Sequence, residues 1–137
     1  MANKNKAKGT RGETKVVNFL KSRGYPAYRK ALTGAQDEGD VAIEGKNTVI
    51  EVKSGKQTYN PSRGQLEEWL RQAWVERNNA CKKDTEREDF AGHCDDPAAI
   101  LIVVRHNRKI EDADVWRQYF DGDGYFTRSH HFLDEWA

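Results

Sequence analysis

Seven consecutive apolar residues, Ala98-Ala99-Ile100-Leu101-Ile102-Val103-Val104, form the longest such run in the chain. A run of strand length with no polar residue on either face must be covered on both faces. It therefore predicts a central strand in a sheet that carries helices above and below, which is an α/β architecture. The same run is far short of the roughly twenty apolar residues that cross a bilayer. At 137 residues the chain has enough surface to bury for one core. With charged residues at 33% and mean hydropathy −0.96, that core is modest and the exterior well hydrated. The start of the chain is polar and basic, without the apolar stretch of a secretory signal. Two cysteines, Cys81 and Cys94, make no disulfide framework. Both features lead to the expectation of a cytoplasmic, intracellular protein with no membrane partner.

The elements around the central strand follow from periodicity. Residues 1–9 alternate Lys, Asn and Ala and read as a flexible basic arm before a single domain over residues 10–137. A helix is expected over residues 10–22, with Val16, Val17, Phe19 and Leu20 on one stripe and Gly24 and Pro26 ending it. Residues 25–32 read as a strand and 33–39 as a polar, Gly-containing loop. A second amphipathic helix is expected over residues 61–79, capped by Ser62, with Leu66, Trp69, Leu70, Ala73 and Trp74 as its buried stripe. Residues 81–97 read as an acidic loop, 110–120 as a short helix, and 121–124 as a turn. Seven of the 14 aromatic residues lie between Val115 and Trp136, so this end of the chain is expected to pack on the body. The resulting order is αβββαβ, a small mixed sheet flanked by helices.

Residues 40–53 carry the most information about chemistry. Asp40-Val41-Ala42-Ile43-Glu44 alternates with period two, Gly45-Lys46-Asn47 supplies a tight turn, and Thr48-Val49-Ile50-Glu51-Val52-Lys53 returns. With an even-numbered loop, Glu44 opposes Asn47 and Asp40 opposes Glu51. One face then holds Val41, Ile43, Ile50 and Val52, and the other holds Asp40, Glu51 and Lys53. A slip by one residue would destroy this sorting. Two opposed carboxylates repel each other unless a cation sits between them, and their hard oxygens suit magnesium. Lys53 beside them would stabilise negative charge, and Glu13 is a third acid on a helix expected to pack on the same side. Three carboxylates, a lysine and a divalent ion together suit phosphodiester hydrolysis. The same residues also suit the wet face of an ordinary surface hairpin.

Charge is unevenly spread along the chain. Residues 1–36 hold nine Lys/Arg against Glu13 alone, whereas residues 37–137 hold fourteen Lys/Arg and twenty-one Asp/Glu. A basic segment on an acidic body fits a polyanionic partner, and it equally fits a solubilising tail.

The order of the motifs extends this reading. Lys8-Gly9-Thr10-Arg11-Gly12-Glu13 opens the first helix, Arg29 and Gly34 follow, then Gly39-Asp40-Val41, then Ile50-Glu51-Val52-Lys53-Ser54, then a helix with Gln65. Over about residues 8–75 this resembles the PD-(D/E)XK nuclease superfamily, and within it the archaeal-type Holliday junction resolvases. Gly39 stands where that family often has Pro. The resemblance implies a small αβββαβ nuclease fold acting on branched DNA as a homodimer, with Mg2+ as cofactor and Mn2+ as a substitute. It implies that Asp40, Glu51, the Val52 carbonyl and Glu13 are metal ligands and that Lys53 is the catalytic lysine. It places Lys8, Arg11, Lys15, Arg29, Lys30, the loop at Gly34, and Gln65 against DNA, with the acidic stretch of residues 84–96 pointing away. The alternatives are a nuclease of the same fold on another DNA substrate (nicking, repair or restriction-type) and a DNA-binding module without catalysis. Cys81, His93, Cys94 and His106 lack the paired spacing of a zinc site. Asp121 and Asp123 start like a calcium loop that Tyr125 and Phe126 do not continue.

Overall fold

The computed structural model describes residues 4–30, 40–85 and 97–136, with side chains for 11–30, 40–80 and 97–136. In chain order it contains α1 (Lys4–Ser22), β1 (Ala27–Arg29), β2 (Val41–Ile43), β3 (Thr48–Lys53), α2 (Arg63–Thr85), β4 (Ala98–Val103), β5 (Asp114–Phe120), β6 (Phe126–Phe132) and α3 (Leu133–Trp136), with 3-10 turns at Lys56–Thr58 and Ile110–Asp112. The six strands form one sheet in sequence order. β3 and β4 run parallel, joined through α2, and every other neighbouring pair is antiparallel. The protein is thus mixed α/β.

The apolar run becomes β4, buried at all six positions. Its side chains alternate between two cores. Ile100 and Ile102 join Val16, Val17, Phe19, Leu20, Val41, Ile43, Ile50 and Val52 on one face. Ala99, Leu101 and Val103 meet Trp69, Leu70 and Ala73 on the other. α1 therefore covers one face of the sheet and α2 the opposite one. Each fully buried Ile or Leu contributes about 1.5–3 kcal/mol through removal of apolar surface from water, so the double burial of β4 anchors the fold.

Helix ends follow their local chemistry. α1 stops where Gly24 adopts φ 90°, with the Tyr25 N–H donating to the Leu20 carbonyl and the Gly24 N–H to that of Lys21, both at 3.0 Å. That double bond pattern requires a residue in the left-handed region, which glycine enters without a Cβ penalty. At the start of α2, Ser62 Oγ accepts from the Gln65 N–H at 3.1 Å, the expected cap.

Four elements differ from the sequence expectation. α1 begins at Lys4, so the segment read as an arm is helical from there. α2 runs to Thr85 and takes the first residues of the expected acidic loop. The stretch expected as a short helix is a 3-10 turn followed by β5. Residues 126–132, given no element beforehand, form β6. The last two have one cause. A central strand needs a ladder partner on each side, β3 supplies one, and Val115, Trp116, Tyr119 and Phe120 suit a half-buried pleated surface. The Gly-containing loop 33–39 and most of the acidic loop, residues 86–96, lie outside the described residues. The aromatic-rich end does pack on the body: Trp74 meets Phe120 and Phe126 edge to face at 5.5 and 5.2 Å, and Leu133 is fully buried. Among the described residues no helix is long and apolar enough to cross a membrane.

Candidate active site

Val41 pairs with Ile50, the hairpin register expected from the pattern. Asp40 immediately precedes β2, and its carboxyl lies close enough to that of Glu51 for their charges to interact. The Asp40 backbone is held from both sides, its N–H donating to the Ile50 carbonyl at 2.7 Å and its carbonyl accepting from the Lys30 N–H at 2.9 Å. Its carboxylate Oδ2 accepts from the Val52 N–H at 2.9 Å. In a strand the N–H and C=O of one residue leave on the same side, so the Val52 carbonyl also emerges toward Asp40.

Glu51 is 6% exposed although it is an acid. Lys53 Nζ lies 3.1 Å from Glu51 Oε1, while Glu51 Oε2 is buried with no hydrogen-bond partner. Burial, followed by the charges of Glu51 and Glu13, pushes the Asp40 carboxyl from 3.8 up to about 8. At neutral pH the metal-free protein therefore keeps a proton on Asp40. Glu51 is thus paired with Lys53 through one oxygen and left without a partner on the other, beside the protonated Asp40 carboxyl. That donor set fits a hard divalent ion, since magnesium commonly takes one or two carboxylates and keeps waters for its other positions.

The remaining expected residues divide into those the fold gathers and those it does not. α1 covers the face of the sheet opposite Glu51, against the expectation of a helix on the same side; the Glu13 charge nonetheless acts on the Asp40 carboxyl, and Glu13 Oε2 accepts from Arg29 Nε at 3.0 Å. Among the described residues no group of three or more Asp, Glu, His or Cys side chains comes together closely enough to hold a metal. Arg29 holds Glu13 through Nε while its side chain stays exposed. Gln65 is exposed in the first turn of α2, about 10 Å along the axis from the turn that meets Glu51. Lys30 is half-buried beside Asp40, and Arg11 and Lys15 are exposed on α1. The Lys8 side chain and the whole of Gly34 lie outside the described residues.

α2 supplies what sequence reading missed. A cavity of about 360 Å3 opens over Glu51 and Lys53 and is walled by Arg71, Gln72, Val75, Glu76 and Asn79. Glu76 is 6% exposed. One signal pointed to it: the stripe Trp69, Ala73 continues onto Glu76 at helical spacing, so an acid stands where the pattern calls for an apolar residue. The arrangement can hold a cation between Asp40 and Glu51, present an ammonium beside it, and admit a ligand through the cavity under α2. Compared with protein-family models, curated proteins and solved structures, the chain matches none.

Proposed function

We propose that this protein is a metal-dependent endodeoxyribonuclease that hydrolyses phosphodiester bonds at branched DNA, with the four-way junction as its foremost substrate. The observation that carries the reading is the buried Glu51 with the half-buried Asp40 and Lys53 beside it and Glu51 Oε2 unsatisfied. Burying Glu51 with one oxygen unpartnered, with a second carboxyl held beside it, costs stability that an ordinary wet hairpin has no reason to bear. Asp40, Glu51 and the Val52 carbonyl would hold Mg2+, or Mn2+ in its place. A bound divalent ion supplies charge neutralisation at the phosphate and a lowered pKa for the attacking water.

The chain's own residues do the rest. The Val52 N–H fixes the Asp40 carboxylate in orientation, so the site is organised before a ligand arrives. Lys53 Nζ, held at Glu51, is placed to stabilise charge developing on phosphate oxygens. Gln72 and Asn79 line the cavity above it and offer amide donors to a bound strand. The choice of branched DNA rests on the motif order and on the basic segment before Glu13. A junction needs two symmetric cuts, so a two-fold homodimer belongs to the same proposal.

The test is cleavage of a synthetic four-way junction and of a matched linear duplex, each with Mg2+ and with EDTA. Junction cleavage that requires Mg2+ is the expected result. Equal cutting of the linear duplex would reassign the substrate to a nicking, repair or restriction-type role. Binding without any cleavage would leave a DNA-binding module and overturn the enzymatic reading.

A further inference from the structure

β3 and β4 are the one parallel pair in the sheet, so their carboxyl ends open onto the same edge. Ligand sites in α/β sheets concentrate outside such carboxyl ends. After Lys53 the chain turns at Gly55, φ 88°, and after Val103 it turns at Asn107, φ 60°. The Thr58 hydroxyl, 1% exposed, lies 2.7 Å from the Val104 carbonyl and 2.8 Å from that of Gly55, tying the two turns together. α1 crosses beside them with Gly12 against Ser54. Between these three segments lies a cavity of about 290 Å3.

Arg11, Lys15, Lys56, Arg105, His106 and Arg108 line that cavity, and no Asp or Glu does. Arg105 is bound to Asp114 through Nε at 2.6 Å and Nη2 at 3.1 Å. Arg11, Lys15, Lys56 and Arg108 have no ion pair among the described residues. Like charges gathered around one concavity repel, and an entering anion relieves all of them together. Guanidinium groups match the geometry of phosphate oxygens. No Phe, Tyr or Trp side chain lines the cavity.

We propose that this cavity binds a phosphate group of a nucleic-acid strand, separate from the phosphate at Asp40, Glu51 and Lys53. Gly12 and Ser54 line it, and their neighbours Glu13 and Lys53 belong to the candidate active site, so one strand can cross the end of β3 and touch both. That second contact rests on the nuclease reading; binding of the phosphate does not. Recognition here is of the backbone and independent of sequence.

The experiment uses the full chain, wild type against the double variant Lys56→Ala/Arg108→Ala, in EDTA. Both side chains are exposed, and a charge-neutral Lys56→Gln/Arg108→Gln pair guards against a packing effect. Junction affinity should fall at least tenfold, and the slope of log K against log salt should shrink by about two. Inorganic phosphate should shift the amide resonances of Gly55, Lys56 and Arg108 in wild type and leave the variant unmoved. A duplex with and without a 5′-phosphate separates the sources: loss of affinity on dephosphorylation assigns a terminal phosphate, and no change assigns an internal one. Unchanged affinity and slope in both double variants, or no DNA binding by wild type, would overturn the proposal. Asp40→Asn runs alongside. If it still cuts, the assignment of the active site to Asp40 fails, while the cavity is judged on binding alone.

Discussion

Asp40 ties stability to pH in a direction opposite to most surface acids. Its folded pKa is about 8 against an ordinary 3.8, so between those values the native state binds more protons than the unfolded chain. Stability of the metal-free protein should therefore decline as pH rises from about 4 to about 8. Asp40→Asn should abolish that decline and raise the Tm at pH 8, by roughly 3–5 °C for each kcal/mol relieved. Thermal melts in EDTA across this range check it, and a wild-type Tm that climbs toward pH 8 would refute the assignment. The same proton has to leave when Mg2+ binds, so Mg2+ affinity should increase by nearly tenfold per pH unit up to about pH 8, measured by calorimetric titration. Cleavage by Asp40→Asn should be abolished. Lys53→Ala should lower cleavage about 10²–10³-fold and leave Mg2+ binding in place, because the ammonium stabilises charge without being a ligand. Measuring cleavage and Mg2+ binding for both variants separates the two roles.

At the scale of elements, the seat of α1 on β3 decides where Glu13 and the basic face of the helix stand. A Cβ at Gly12 would lie 2.3 Å from Ser54 Oγ and 2.5 Å from Ser54 Cβ. Such contacts do not occur, so Gly12→Ala must push the helix away from the strand. We expect destabilisation of about 1–3 kcal/mol, read by urea denaturation, with a parallel loss of junction affinity. The double variant Gly12→Ala/Ser54→Gly should recover most of it, because it removes the opposing atoms. A loss that Ser54→Gly leaves unrescued would place the effect of Gly12 elsewhere than in this contact.

For the whole molecule, the sheet has two edges, β1 and β6. β6 alternates, with Phe126, Arg128, His130 and Phe132 exposed along one side. Unpaired strand edges are routes to association. The proposed symmetric cutting predicts a two-fold dimer, and sedimentation of the protein alone and with a four-way junction tests it. A monomer at micromolar concentration in both conditions would count against the junction-resolving role in particular, while leaving simple nuclease activity open to the cleavage assay.

What the sequence determined by itself is the part carried by local period and turn chemistry. The double-faced burial of residues 98–103, the stripe of α1, the Ser62 cap and the hairpin register that pairs Val41 with Ile50 are all legible, because each follows from local period and turn chemistry. Tertiary structure decided the rest. Whether residues 114–120 extend or coil depends on β4 needing a second ladder partner, which no local window contains. That Glu13 pairs with Arg29 follows from α1 covering the face opposite Glu51. That α2 roofs the site with Gln72, Glu76 and Asn79 follows from α2 taking the other face. The basic cavity joins residues from positions 11–15, 54–56 and 104–108, brought together by the parallel pairing of β3 with β4. Side-chain alternation assigns each strand two faces, but which helix covers which face depends on packing between distant segments.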